Sequence, residues 1–150
     1  MKLYRGGCSC RAVLFTVRRY LYVQACHCDA CKKRTGSAYG LSVMVENDDV
    51  AAFSGQTRTY TRGGESGKEV HYEFCPQCGA TIRWRIDIVP NRQVFAGGAF
   101  DDIREFNVVG EMYTGMALPW ARLGCDLTRS GAPDDNFRAS LIERANSLRD

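Results

Sequence analysis

Cys26-His27-Cys28-Asp29-Ala30-Cys31-Lys32-Lys33-Arg34-Thr35-Gly36 is the stretch on which the reading of this chain turns. Three thiols within six residues, followed at once by three cations, have the spacing of metal ligands. A second cluster precedes it, Cys8-Ser9-Cys10, and a third follows, Cys75-Pro76-Gln77-Cys78-Gly79; together the three hold seven of the eight cysteines. Four thiolates close a tetrahedral zinc site, whereas three leave one coordination position open. The count therefore predicts two zinc ions (Zn2+) per chain. Disulfides across the same clusters are the competing reading, and paired, even spacing fits a four-sulfur zinc site better.

Local sequence supports each cluster. Pro76 pre-sets a turn and Gly79 tolerates positive φ, so Cys75 to Gly79 has the form of a zinc knuckle. A knuckle needs two more ligands, and Cys8 and Cys10 supply them if an extended backbone points both side chains the same way. Such a site is structural, closing a loop of roughly 65 residues. In the middle cluster, Cys26 and Cys28 share one face at the end of a strand. Asp29 is the expected N-cap of a short helical turn from Ala30 to Arg34 ended by Gly36, which places thiolates at its positive end. Three residues compete for the fourth zinc position. Cys125 is distant and set among leucines, His27 alternates to the opposite face, and His71 sits mid-strand without a partner motif. All three read better as packing or hydrogen-bonding residues, leaving water or a substrate atom in the open place.

The bulk properties set bounds on the rest. A chain of 150 residues, 45% hydrophobic and 25% charged, is an ordinary globular composition. Residues 1–128 read as the zinc-binding body and residues 129–150 as a C-terminal tail. No apolar stretch has signal-peptide or membrane-spanning length, so the expected setting is the cytoplasm, where thiols stay reduced. The formal charge is +3. Seven thiolates and two zinc ions together remove those three charges, so the metallated chain is near neutral. Neither a nucleic-acid partner nor a membrane is expected.

Most of the body reads as short strands, at residues 12–18, 20–26, 41–46, 57–62, 69–74, 81–86 and 93–100, rich in β-branched and aromatic residues. Gly63-Gly64-Glu65-Ser66-Gly67 reads as a hairpin loop. In the tail, Phe137, Leu141, Ala145 and Leu148 fall at helical spacing over residues 134–149. That helix has an apolar face to bury on the sheet or on a second copy, which leaves a homodimer open. The fold class is mainly β, with a short C-terminal helix.

Three segments together resemble one known family: Gly6-Gly7-Cys8-Ser9-Cys10, then Cys26 through Ser37, then Phe74-Cys75-Pro76-Gln77-Cys78-Gly79. The chain is similar over roughly residues 3–125 to the glutathione-dependent formaldehyde-activating enzymes, a family that also contains centromere protein V. Gly97 to Asp102 and Pro119-Trp120 look like the family's closing segments. The resemblance implies an Mss4-like fold of twisted antiparallel sheets. It implies a structural zinc at Cys8, Cys10, Cys75 and Cys78 and a catalytic zinc at Cys26, Cys28 and Cys31. It further implies a carbon–sulfur lyase acting on thiol–aldehyde adducts, of the S-hydroxymethylglutathione synthase type, with glutathione as the small-molecule thiol. Where the family usually has glycine after its Cys-x-Cys pair, this chain has Arg11, which should alter the local backbone or add a charge there.

On this reading Lys32, Lys33 and Arg34 grip the carboxylates of a peptide-like thiol, or else form a solvated turn. Arg83 and Arg85, on one face of a strand, carry the same two readings. Phe53, Tyr39, Tyr113 and Trp120 line a pocket or fill a core. A non-catalytic zinc-binding scaffold is the alternative function. A methionine sulfoxide reductase is a remote third, because Cys125 is the only spare thiol and has no evident activating partner.

Overall fold

The structure, a computed structural model, describes residues 1–149. It is mainly β, as the alternating patterns predict. In chain order the elements begin with β1 (Tyr4–Gly7), β2 (Leu14–Val17), β3 (Tyr22–Cys26), α1 (Asp29–Thr35) and β4 (Gly40–Glu46). They continue with β5 (Val50–Ser54), β6 (Arg58–Gly63), β7 (Glu69–Phe74), β8 (Thr81–Ile86) and β9 (Arg92–Ala96). The last are β10 (Val108–Met112), β11 (Leu127–Thr128) and α2 (Asp135–Ser147). The chain divides into two compact units, the boundary falling three times, before β3, within β4 and between β9 and β10.

The first unit comprises residues 1–20 and 43–105. It holds an antiparallel sheet in the order β1-β2-β5 and a run of strands in the order β4-β9-β8-β7-β6. Its core is aromatic, with the Phe15 ring centre 4.6 Å from that of Phe95 and 4.9 Å from that of Phe100. Gly6 is required here, since a Cβ at that position would lie 2.3 Å from both the Ala99 carbonyl and the Phe15 ring. Arg83 is committed inside this unit: its guanidinium stacks 3.6 Å from the Phe53 ring centre and pairs with Glu73. Phe53 therefore belongs to this packing.

The second unit comprises residues 21–42 and 106–150, of which all but the last residue are described. Its strands run β11-β10-β3-β4. Every residue of β3 is buried, the polar Gln24 included, which fits a strand otherwise made of Tyr22-Val23 and Ala25-Cys26. β10 pairs parallel to both β3 and β11, a departure from the antiparallel expectation. Helix α2 settles its own packing. Asp134 caps it by accepting from the Phe137 N–H at 2.8 Å, and Phe137, Leu141 and Ala145 bury themselves on β3 and β10. Leu148 stays largely exposed. Leu141 presses on Gly110, where an added Cβ would come within 2.3 Å of its Cδ2.

Some expectations shift. β2 starts only at Leu14 because residues 9–13 form a turn, and β9 ends at Ala96, where residues 97–99 tighten into a 3-10 turn. β1, β5, β10 and β11 were not legible as strands in the sequence.

Leu141 is fully buried. Leu141→Ala is therefore expected to lower the unfolding free energy by about 2–5 kcal/mol in a denaturant titration. A loss below about 1 kcal/mol would mean that α2 does not close this core.

Candidate metal centres and their surroundings

The Sγ atoms of Cys8, Cys10, Cys75 and Cys78 all lie within 4.8 Å of one another. Cys8 to Cys10 is 3.6 Å and Cys10 to Cys75 is 3.7 Å. Zinc–sulfur bonds near 2.3 Å place tetrahedral sulfurs about 3.8 Å apart, whereas a disulfide needs about 2.05 Å. The spacing fits a metal tetrahedron and rules out a disulfide between those atoms. The knuckle forms as its residues require: Gly79 has φ +76° and donates its N–H to the Cys75 carbonyl at 2.9 Å. The Ala80 N–H, then that of Cys10, draws the Cys78 thiol down to about 6, favouring the thiolate a metal needs.

The N-terminal half of this cluster differs from expectation. Cys8 and Cys10 sit on a tight turn rather than an extended strand, closed by the Arg11 N–H on the Cys8 carbonyl at 3.1 Å. The Val13 N–H also points at the Cys8 sulfur, at 3.3 Å. Arg11 holds φ +65°, in the left-handed region that favours glycine. That is the physical content of the departure at this position. Its guanidinium reaches Asp101 with contacts of 2.6 and 3.4 Å, which offsets part of the backbone cost.

The sulfurs of Cys26, Cys28 and Cys31 form the other group within 4.8 Å, and all three residues are buried. Cys26 ends β3. Cys28, not Asp29, is the N-cap of α1, and its sulfur accepts from the Cys31 N–H at 3.4 Å. Gly36 closes the helix in the left-handed conformation, as its sequence position predicts. Among the described residues no fourth histidine, cysteine or carboxylate joins this cluster. Ala30, Met112 and Tyr113 pack against it. The Cys26 thiol is pushed far above its ordinary range by the adjacent sulfurs of Cys28 and Cys31, and then by burial. The Cys31 thiol is also raised: a hydrogen bond from Cys26 pulls it down, but Cys28 and burial outweigh that, and Arg34 counters only in part. Three thiols so placed cannot all ionise without a counter-charge, and a dication supplies one. The donor set and its packing therefore fit a soft-ligand metal ion.

The residues after the cluster divide. Lys32 donates to the Met116 carbonyl at 2.7 Å and pairs with Asp29 at 2.9 Å, so it braces α1. Lys33 is exposed at the surface of the helix. Arg34 turns inward, its guanidinium filling the space that Gly40 leaves by having no side chain, 2.7 Å from where a Cβ would stand. His71, on β7, bonds Thr61 and Asp87 at 2.9 Å each and belongs to neither thiol cluster. Cys125 is half-buried, and its thiol is raised by burial and by the charges of Glu111 and Asp126. That is the opposite of an activated thiol and lends no support to a reductase.

Sequence reasoning missed Glu111. It is fully buried, and His27, also fully buried, donates its Nε2–H to it at 2.9 Å. Arg122 Nε (3.1 Å) and the N–H groups of Leu123 (3.0 Å) and Cys125 (3.2 Å) complete the set. Burial alone would raise this carboxylate, but the bonds from Leu123, Arg122, His27 and Cys125 outweigh it and hold it down at about 2. The signal was a lone charge inside the apolar run Val108-Val109-Gly110-Glu111-Met112. Tyr113, expected to line a pocket or fill a core, packs against the three sulfurs and holds φ +55°, a strained conformation of the kind that gathers at functional sites. Trp120 is exposed and Tyr39 half-buried, with its ring 5.6 Å from that of His27.

Fold and site define a class: a small, mainly β protein with two separate thiol clusters, each able to hold a metal ion. Residues 3–116 match the glutathione-dependent formaldehyde-activating enzyme family, and the chain belongs to that family. A crystal structure of a Rhodobacter sphaeroides protein, a structural-genomics target, is similar at 17% identity. The match covers 67% of this chain and 91% of that one with a TM-score of 0.54, and shows a shared fold. No curated protein matches the chain.

The Arg11 turn yields a test. Arg11→Gly relieves a left-handed residue, and that gain offsets part of what is lost with the exposed ion pair and the added chain entropy. Arg11→Val keeps the strain at a β-branched residue and loses the pair, so it is expected to melt below Arg11→Gly. Thermal unfolding of both variants distinguishes them, and equal melting temperatures would contradict the strained turn.

Proposed function

We propose that this protein is a zinc-dependent carbon–sulfur lyase acting on thiol–aldehyde adducts, with glutathione and formaldehyde as the reacting pair. The observation that carries the reading is the three-sulfur cluster of Cys26, Cys28 and Cys31, which no fourth protein ligand completes among the described residues. Membership of the formaldehyde-activating family supports the same chemistry. The four sulfurs of Cys8, Cys10, Cys75 and Cys78 would hold a second zinc with a structural role. Their tetrahedral spacing supports that assignment.

In the synthetic direction the thiol sulfur bonds to the aldehyde carbon as the C=O π bond opens, and the thiol proton ends on the oxygen. The lyase direction reverses each of these steps. Bound by the three cysteines, zinc would keep a substrate sulfur as its thiolate at neutral pH and orient it toward the carbonyl. Met112 and Tyr113 pack against the sulfurs. Lys33, exposed beside the cluster, is the proposed contact for a substrate carboxylate. Lys32 can join it by exchanging Asp29 for the substrate, while Arg34 supplies inward positive charge near Cys31. A reducing, cytoplasmic setting belongs to this proposal, since it keeps both clusters available to metal.

A non-catalytic scaffold with two structural zincs is the second reading. Burial of all three cysteines favours it, and the same experiment separates the two. Zinc-loaded protein mixed with glutathione and formaldehyde is expected to speed adduct exchange, followed by proton NMR, well above the uncatalysed rate. Cys28→Ser should return it to background. Wild-type protein no faster than Cys28→Ser would reject the lyase for this pair of substrates.

A further inference from the structure

The buried Glu111–His27 pair is not explained by stability. A buried carboxylate held by a polar partner is commonly matched or exceeded in stability by apolar side chains of similar volume. This pair also carries a penalty, because the Nδ1 of His27 is buried with no hydrogen-bond partner among the described residues. An uncharged core would avoid both costs.

What the pair does is geometric. His27 stands between two of the three cysteines, and its side chain is fully buried in the same unit. There Glu111 holds the ring by Nε2. The His27 backbone N–H donates to the Met112 carbonyl at 3.0 Å, and β3 and β10 pair Ala25 with Glu111 and Cys26 with Met112. The tripeptide carrying two sulfurs is thus pinned at its centre by backbone and side chain alike. Glu111 also gathers the N–H groups of Leu123 and Cys125, and its own carbonyl accepts from Arg129 at 3.0 Å. The residues after it, Met112 and Tyr113, pack directly on the sulfurs.

We propose that Glu111, acting through His27, is a positioning residue for the three-cysteine centre. It fixes the Cys26-His27-Cys28 tripeptide and the Met112-Tyr113 wall, so that the sulfurs stay in register for one metal ion. The inference rests on the metal reading of that cluster and is independent of which substrate the metal serves. Metal sites lose affinity when ligands drift by more than a fraction of an ångström, and residues that orient the ligands are typically worth 10- to 100-fold in binding.

The experiment titrates cobalt(II) into reduced, metal-free protein and follows the thiolate-to-cobalt charge-transfer bands, whose intensity scales with the number of bound thiolates. Zinc affinity is then read by chelator competition. In Glu111→Gln the three-cysteine centre is expected to weaken by about 10- to 100-fold while the four-cysteine centre keeps its affinity. His27→Leu should behave like Glu111→Gln. His27→Gln, whose amide nitrogen replaces Nε2 as donor to Glu111, should stay close to wild type. If Glu111→Gln does not fold, the contrast between His27→Gln and His27→Leu decides alone.

Variants that bind both equivalents as wild type does would overturn the proposal. So would a uniform weakening of both centres, which would mark Glu111 as merely structural. Wild-type protein that takes up a single equivalent would remove the metal reading itself, and the positioning role with it. Normal wild-type uptake without adduct exchange, but with weakened variants, would sustain the positioning role and remove only the lyase.

Discussion

Sulfur crowding is the constraint on which this structure depends. Seven thiols are drawn into two groups, each within 4.8 Å, and in the buried group Cys28 and Cys31 push Cys26 far above its ordinary range. Such a cluster is unfavourable as separate thiolates. A dication removes that penalty, because it binds the deprotonated form and neutralises the repulsion. Folding and metal uptake would then share one free energy, as they do in other small domains whose sites form only in the native state.

The two groups are made by different backbone devices, and the difference bears on their roles. The four-cysteine group joins a knuckle, turned at Gly79, to a second turn held by the left-handed Arg11. Two of its cysteines face solvent and two are buried. The three-cysteine group is set by a strand end, an N-cap and a first helical turn, all buried and backed by the carboxylate of Glu111. One arrangement offers the four sulfurs that a closed tetrahedral site needs. The other offers three yet carries the heavier polar support, and this asymmetry is what the proposed chemistry requires.

Much of this was legible from spacing. The ligand groups, the knuckle with its glycine, the Gly36 helix stop and the Phe137-Leu141-Ala145 stripe are all local patterns, and local patterns survive in sequence. The failures have physical reasons. β1 and β11 are only four and two residues long, too short to show alternation, and β1 ends in two glycines. β10 reads poorly because Gly110 and Glu111 interrupt it, one to admit Leu141 and the other to hold His27. Asp29 looked like the N-cap because aspartate caps well, yet Cys28 takes that place and spends its sulfur on the Cys31 N–H. The partners of Glu111 come from residues 11 to 84 positions away, so only the fold could assemble them.

X-ray absorption at the zinc edge, on protein purified in its metallated form and calibrated for zinc content, tests the central claim most directly. The account predicts two zinc ions per chain and an averaged first shell between three and four sulfurs, completed by a light atom that a thiol replaces. A single zinc per chain, or a full shell of four sulfurs unmoved by added glutathione, would contradict it.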